Sequence, residues 1–231
     1  MDFAFGEPET VSDFILIGTL EIILLAIGIL FALRINNWNL KRKESQQTQD
    51  LLKLLIKDIN ENRDEIERDI NQGKVMNELF KKVYDNKHQI DKVSAEDIVT
   101  ALNFSSADYY FFAQTPAFTR LENSNLWEKI SDELISKIHL VYYGRIGIIK
   151  NRFAKHVEYA TSCKLNYMTP NNLFNPDLND EQKKAIVSET LEDFLHYLYL
   201  IDYSVETQVR YWEDTIVIID ETISDIEEII L

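Results

Sequence analysis

The sequence predicts an all-α protein: one N-terminal transmembrane helix followed by a cytoplasmic α-helical bundle. Three observations predict it. Gly and Pro are scarce, at six and four in 231 residues, which is too few for the tight turns of a sandwich or barrel. A run from Phe14 to Ile35 is almost wholly apolar. Beyond it, apolar residues recur at helical spacings to the end of a chain that is 45% hydrophobic, enough to build a core.

Phe14 to Ile35 is 22 residues long. As a helix it reaches about 33 Å, sufficient for a hydrocarbon layer of about 30 Å. Fifteen of its residues are Leu, Ile or Phe, and the off-centre Glu21 interrupts them. Each such apolar residue favours insertion by roughly 0.3–0.6 kcal/mol, against about 3 kcal/mol for one central acid, so the run outweighs the carboxylate. A signal peptide would begin with basic residues; here Asp2, Glu7, Glu9 and Asp13 precede the run and no Lys or Arg does. Arg34, Lys41, Arg42 and Lys43 sit at its far end. The positive-inside rule therefore puts residues 1–13 outside, the span at 14–35, a basic juxtamembrane linker or helix at 36–50, and the bundle, 51–231, in the cytoplasm. Trp38 suits the interface, and Lys41 to Lys43 suit anionic headgroups.

Within the span, Gly18, Glu21, Leu25, Gly28 and Ala32 recur at alternating spacings of three and four and share one face, with Gly28 and Ala32 a small-xxx-small pair. With one span per chain, the helix that packs there is expected from another copy, so a homo-oligomer is predicted. Glu21 then either sets register, reaching headgroups or accepting from Thr19 or a partner backbone, or joins a ring of carboxylates lining a cation-attracting pore.

From about Asn39 to His88 the stripe Leu52, Leu55, Ile59, Ile66, Met76, Phe80, Val83 predicts a bundle helix, interrupted by Asn62, Asp69 and Gly73. Ser94-x-x-Asp97 opens a short helix to about Phe104. Thr115-Pro116 reads as an N-cap followed by Pro at the first helical position. A further helix starts near Asn125 or Ser131 and runs through Tyr142-Tyr143 towards Met168. Thr169 to Asp180, TPNNLFNPDLND, is the clearest loop. Asp180 is the expected N-cap of a helix to about Tyr203. Val205, Val209, Trp212, Ile216, Ile219, Ile223, Ile226 and Ile230 then form an unbroken heptad seam, able to close the bundle or to hold a protein partner.

Charge is uneven. The net −15 is concentrated at the end, where residues 180–231 carry 3 Lys+Arg against 14 Asp+Glu. A basic segment stands out, YYGRIGIIKNRFAKHVEY, in which Tyr142, Arg145, Ile149, Arg152, His156 and Tyr159 share a helical face, with Lys150 and Lys155 nearby. Cations interleaved with aromatic rings can hold phosphates and stack the bases of a single-stranded oligonucleotide or another anionic ligand. The plainer alternative is a solvated basic face balancing the acidic terminal helix, with the tyrosines in the core. Cys163 is the only cysteine, so no intrachain disulfide forms. The four His lack metal-site spacing, and no nucleotide-binding or hydrolase motif occurs, so neither an enzyme, a metal nor a cofactor is expected.

Glu21-Ile22, Gly28-Ile29-Leu30, Ala32-Leu33 and Ile35-Asn36-Asn37-Trp38-Asn39 resemble the membrane motif E-I-x-L-x-x-x-G-I-L-x-A-L-x-I-N-N-W-N of a large bacterial domain-of-unknown-function family. The likeness covers about twenty residues closely and is looser at Thr115-Pro116, Ser124-Asn125-Leu126 and Tyr142-Tyr143. It implies a single N-terminal span in the bacterial inner membrane and a helical cytoplasmic region. Arg34 departs from it, a neutral Gln being more usual there. The layout is also similar to the channel effector of the Hailong anti-phage system, whose cytoplasmic bundle a DNA oligomer holds closed. Together these imply an oligomeric, ligand-gated pore, with a non-conducting membrane tether as the alternative.

Overall fold

The computed structural model describes residues 11–230, and side-chain exposure from residue 15 onward. Of the stretch expected outside the membrane, 1–13, residues 1–10 lie outside the described residues. Seven α-helices and four short 3₁₀ or π stretches account for the architecture, and no strand occurs among the described residues. The chain divides into two compact units, Met1–Asp50 and Leu51–Leu231.

Helix α1 runs unbroken from Val11 to Asp85. The span, the juxtamembrane stretch and the first helix of the bundle are one helix, with no Pro in its 75 residues to interrupt it. The basic stretch 36–50 is helical throughout. In the first unit, Ile15–Leu40 presents apolar side chains to the surroundings on every side, Ile22 being 72% and Leu25 67% exposed.

In the second unit, the predicted stripe of α1 is the inward face: Leu52, Leu55, Ile59, Ile66 and Val83 are wholly buried. A 3₁₀ stretch, Lys87–Lys92, leads to α2, Ala95–Ser106, where Ser94 Oγ accepts the Asp97 amide as the sequence predicted. An extended segment follows to α3, Pro116–Glu122. Here Thr115 does not cap; the carboxylate of Asp58 accepts the Ala117 amide at 2.7 Å, so the cap comes from α1 instead. After the 3₁₀ stretch Asn125–Lys129, Ser131 caps α4, Asp132–His139.

Helix α4 passes through a π-helical stretch, Leu140–Ile146, into α5, Gly147–Cys163, and a second π stretch ends it at Met168. The expected loop 169–179 precedes α6, Asp180–Glu189. Its cap is Asn179 rather than Asp180: Asn179 and Gln182 each accept the other's backbone amide at 2.9 Å. The helix ends at Glu189 and not near Tyr203: the Thr190 backbone leaves the helical region at φ −115°, ψ 30°, with its hydroxyl bonded to Ile186 O and the Tyr167 phenol. Helix α7, Leu191–Ile230, then runs 40 residues and absorbs the whole seam.

Helix α7 lies antiparallel to the lower part of α1, with Arg63 paired to Asp220 and Lys74 to Glu213. Gly73 lets the two approach: a Cβ there would stand 2.6 Å from Val209 Cγ2. The other side of α7 packs on α4 and α5. Val205, Val209, Trp212, Ile219 and Ile226 are all 6% exposed or less and close this unit's own core, while Ile216, Ile223 and Ile230 are half-buried.

Candidate functional site

The predicted span face is intact as a helical face. Glu21, Leu25, Gly28 and Ala32 are exposed and Gly18 is half-exposed. A Cβ added at Gly18 or Gly28 would meet nothing within 4 Å, so neither glycine serves a contact within the chain. Thr19 donates its hydroxyl to Ile15 O at 2.7 Å, which removes the in-chain donor considered for Glu21. An 18-residue window of mean hydropathy 2.6, none of it buried, makes this the single described helix long and apolar enough to cross a membrane.

The basic segment is divided by the fold. Tyr142 stacks on Phe118 with centroids 4.2 Å apart and is 5% exposed, while His156 is 2% exposed. Both belong to the interior, and neither can meet a polymer. Arg145 and Arg152 lie over the ring of Tyr211 at 5.0 and 4.7 Å, and Arg152 also donates to Thr207 O, so these two arginines tie the first π stretch and α5 to α7. Lys150 and Lys155 remain exposed; Lys155 pairs with Glu158 and lies over Tyr159, which is half-buried. The amphipathic reading had put Tyr142, Ile149 and His156 on a binding face. They share a face because it is the buried one.

The polar interruptions of the α1 stripe are explained by the extended segment. Asn62, wholly buried, donates to Gln114 O at 2.9 Å and accepts from Gln114 N at 2.7 Å. Glu65 accepts the Phe112 amide, and Asp58 that of Ala117. Asp58, Asn62 and Glu65 follow one another at spacings of four and three, so one face of α1 satisfies the backbone of a segment that has no sheet or helix of its own.

One turn further on, the same row opens a cleft. Helix α1 supplies Asp69, Gln72, Gly73 and Met76, and the extended segment supplies Tyr109. The opposite wall is Phe153 and His156 from α5, with Val205, Gln208 and Trp212 from α7. The cleft opens to solvent and its cavity volume is about 20 Å³, room for about one water molecule. Both imidazole nitrogens of His156 and the indole nitrogen of Trp212 are buried without a hydrogen-bond partner. Burial pushes His156 down to about 4, against the opposing pull of the Ala107 backbone and Asp108, so the imidazole is neutral at pH 7. Asp69, desolvated by the same walls and repelled by Glu65, is pushed up to about 7 despite Arg68. Sequence reasoning found only His156 here, and for another role. The signal it had was the break in the stripe at Asp69 and Gly73.

Among the described residues no group of three or more His, Cys, Asp or Glu side chains could hold a metal ion. Cys163 is buried, and desolvation raises its thiol to about 12, which removes it as a nucleophile.

These features define a class: an all-α protein with one helix fit to span a membrane and a helical domain carrying a small, partly polar cleft. The chain belongs to the family of unknown function DUF6090, whose model matches residues 21–169. The matched residues include Asp69, Tyr109 and His156 and stop short of α6 and α7. No curated protein and no solved structure matches the chain.

Proposed function

We propose that this protein is an oligomeric membrane effector whose N-terminal helices associate through Gly18, Glu21, Leu25, Gly28 and Ala32 to form an ion-conducting pore. The cytoplasmic domain gates that pore by binding a ligand, with the N-terminus outside the bacterial inner membrane. The observation that carries the reading is the pair Gly18 and Gly28, open on all sides within the chain and on the same face as a carboxylate. Small residues let helices approach closely in lipid, and an intramembrane acid there faces a partner or water. The span and the first helix of the bundle are one helix, α1, so a ligand held against it touches the element that forms the pore. The layout shared with an anti-phage channel effector supports a role in bacterial defence. If an oligonucleotide is the ligand, its contacts fall to Lys150 and Lys155, with Tyr159 at the edge.

The test is single-channel recording in planar bilayers. Wild-type protein conducts with cation preference, and Glu21→Gln lowers that preference. Equal conductance and selectivity in the two proteins would remove Glu21 from the lumen. Lys150→Glu with Lys155→Glu, compared in gel shift at moderate salt, tests the oligonucleotide, and unchanged binding refutes that contact.

A second reading, a non-conducting tether that holds a protein partner, draws on Tyr110 and Phe112. They are 59% and 71% exposed, with ring centroids 6.3 Å apart, on the segment fixed by Glu65 and Asn62. Expression without loss of membrane potential, together with silent bilayers, favours the tether.

A further inference from the structure

Where the apolar run of α1 ends, Arg34, Lys41, Arg42 and Lys43 follow in close succession, and no acid occurs between Glu21 and Glu44. Helix α1 continues through them without a break, so their positions round the helix follow from those of the span. All four cations are exposed. None is paired with a carboxylate among the described residues, although the chain carries a net −15. Exposed cations kept clear of the protein's own acids are open to an anion from outside.

The helix sorts the four by face. Ile27, Phe31, Arg34, Trp38 and Lys41 follow one another at spacings of four and three and share a face. Arg42, one turn beyond Trp38, lies over its ring at 5.9 Å. Lys43 is two residues beyond Lys41, which puts it about 160° round the helix. Arg34 stands in the same relation to Ala32, so close packing through Gly18, Glu21, Leu25, Gly28 and Ala32 leaves the Arg34 face turned outward. The upper part of that outward face is apolar, with Ile27 44% and Phe31 64% exposed, and below it Trp38 is 60% exposed. Helical side chains lean towards the N-terminus, which brings Lys41 towards the level of Trp38, and the long stem of Arg34 lets its head reach out of the apolar layer.

The chemistry of the face selects its partner. A guanidinium presents a fork of N–H groups that matches phosphate oxygens, an ammonium adds a point charge, and an indole contributes one N–H. The apolar residues directly above distinguish a free phosphate from one that carries acyl chains. Only the second covers Ile27 and Phe31 while its phosphate meets Arg34 and Lys41. Tryptophan is at home at this level of a bilayer, with its ring in the apolar edge and its N–H among the headgroups.

We infer that the face formed by Ile27, Phe31, Arg34, Trp38 and Lys41 is a binding site for an anionic phospholipid. Arg34 and Lys41 hold the headgroup phosphate, the Trp38 N–H donates to a headgroup oxygen, and Ile27 and Phe31 pack against the acyl chains. Lys43, adjacent in sequence, is not part of the site. The inference rests on reading residues 14–35 as a membrane span, and it requires no conduction.

The experiment uses the full-length protein in two stages. Flotation with phosphatidylcholine vesicles comes first, and a chain that stays in the aqueous layer refutes both the span and this inference. Native mass spectrometry of the detergent-solubilised protein then compares phosphatidylglycerol with phosphatidylcholine of the same acyl chains. Phosphatidylglycerol binds roughly thirtyfold tighter, as two cations near one phosphate dictate. Arg34→Gln with Lys41→Gln brings the two lipids within about threefold of each other, whereas Lys43→Gln leaves the preference within about threefold of wild type. Circular dichroism confirms that each variant stays helical. The inference is overturned if phosphatidylcholine binds as tightly as phosphatidylglycerol, or if Lys43→Gln costs as much as Lys41→Gln. It is also overturned if soluble glycerol phosphate at millimolar concentration displaces the lipid, since the ligand would then be a free phosphate. A silent bilayer refutes the pore and leaves this site standing, and a protein that floats without lipid preference refutes the site and leaves the pore standing.

Discussion

Replacing Asn62 by Leu tests whether the extended segment 107–115 is held by α1. The wild-type amide is wholly buried and makes two bonds to one residue's backbone, Asn62 Nδ2 to Gln114 O at 2.9 Å and Gln114 N to Asn62 Oδ1 at 2.7 Å. Leucine keeps the branching and the number of heavy atoms and continues the apolar stripe, so a cavity is not the issue. What changes is that Gln114 N–H and C=O lose their partners. A buried group left unsatisfied costs about 1–3 kcal/mol, and two together cost roughly 2–5 kcal/mol after the gain from the apolar side chain. For a domain of this size 1 kcal/mol moves the melting temperature by about 2–4 °C, so a drop of roughly 4–20 °C is expected by circular dichroism of the full-length protein in detergent. Hydrogen exchange gives the local reading: the Gln114 amide loses protection before the core of α2 does. The control is Gln114→Ala, which keeps both backbone bonds and should stay within about 0.5 kcal/mol of wild type. An Asn62→Leu protein as stable as wild type, or a Gln114→Ala protein as damaged as Asn62→Leu, refutes the reasoning.

Other outcomes follow from the same packing. Gly73→Ala gains up to about 1 kcal/mol of helix propensity but meets Val209 Cγ2 at 2.6 Å. Overpacking of about 1–3 kcal/mol prevails, and the added Val209→Ala restores the melting temperature. A double variant no better than Gly73→Ala would refute the close approach. The pH profile of stability reports on the cleft. Asp69 is raised from 3.8 to about 7, so between those values the folded protein holds a proton that the unfolded chain has released, and stability falls as pH rises through that window. His156 is lowered from 6.5 to about 4, so there the unfolded chain holds the extra proton and stability rises over that range. The two oppose each other over about pH 4–6.5, so Asp69→Asn should make stability rise more steeply over that range in denaturant melts and remove the fall towards pH 7, and an unchanged slope would show that Asp69 does not titrate in the fold. Arg152→Ala should destabilise by about 1–2 kcal/mol, since it removes the Tyr211 stack and the bond to Thr207 O, and unchanged melting would contradict that bridging role.

Periodicity reveals which residues are buried together but not what they are buried against, and both successes and misses follow from that. The α1 stripe and the α7 seam were legible because a residue every three or four positions must face one way whatever the partner. The same rule applied to Tyr142, Ile149 and His156 correctly joined them on one face and then put that face in solvent, because two of the three can carry polar chemistry. Local capping was legible at Ser94; at Thr115 the N-cap position and the Pro after it were legible but the bond was not, since its acceptor, Asp58, comes from 59 residues away. The cleft was illegible for the same reason, since its walls come from four segments that share no sequence neighbourhood.

A more useful signal lay in the exceptions. Asn62, Asp69 and Gly73 break an otherwise apolar row, and a row that only filled a core would gain stability by replacing them. Asn62 satisfies a stranded backbone and Gly73 admits α7, so each exception has a structural task that an apolar residue could not perform. Asp69 has none: it bonds to nothing among the described residues, and the fold holds it at the cost of its own ionisation. Asp69 thereby differs from Glu21, which stands exposed on the apolar stretch of α1.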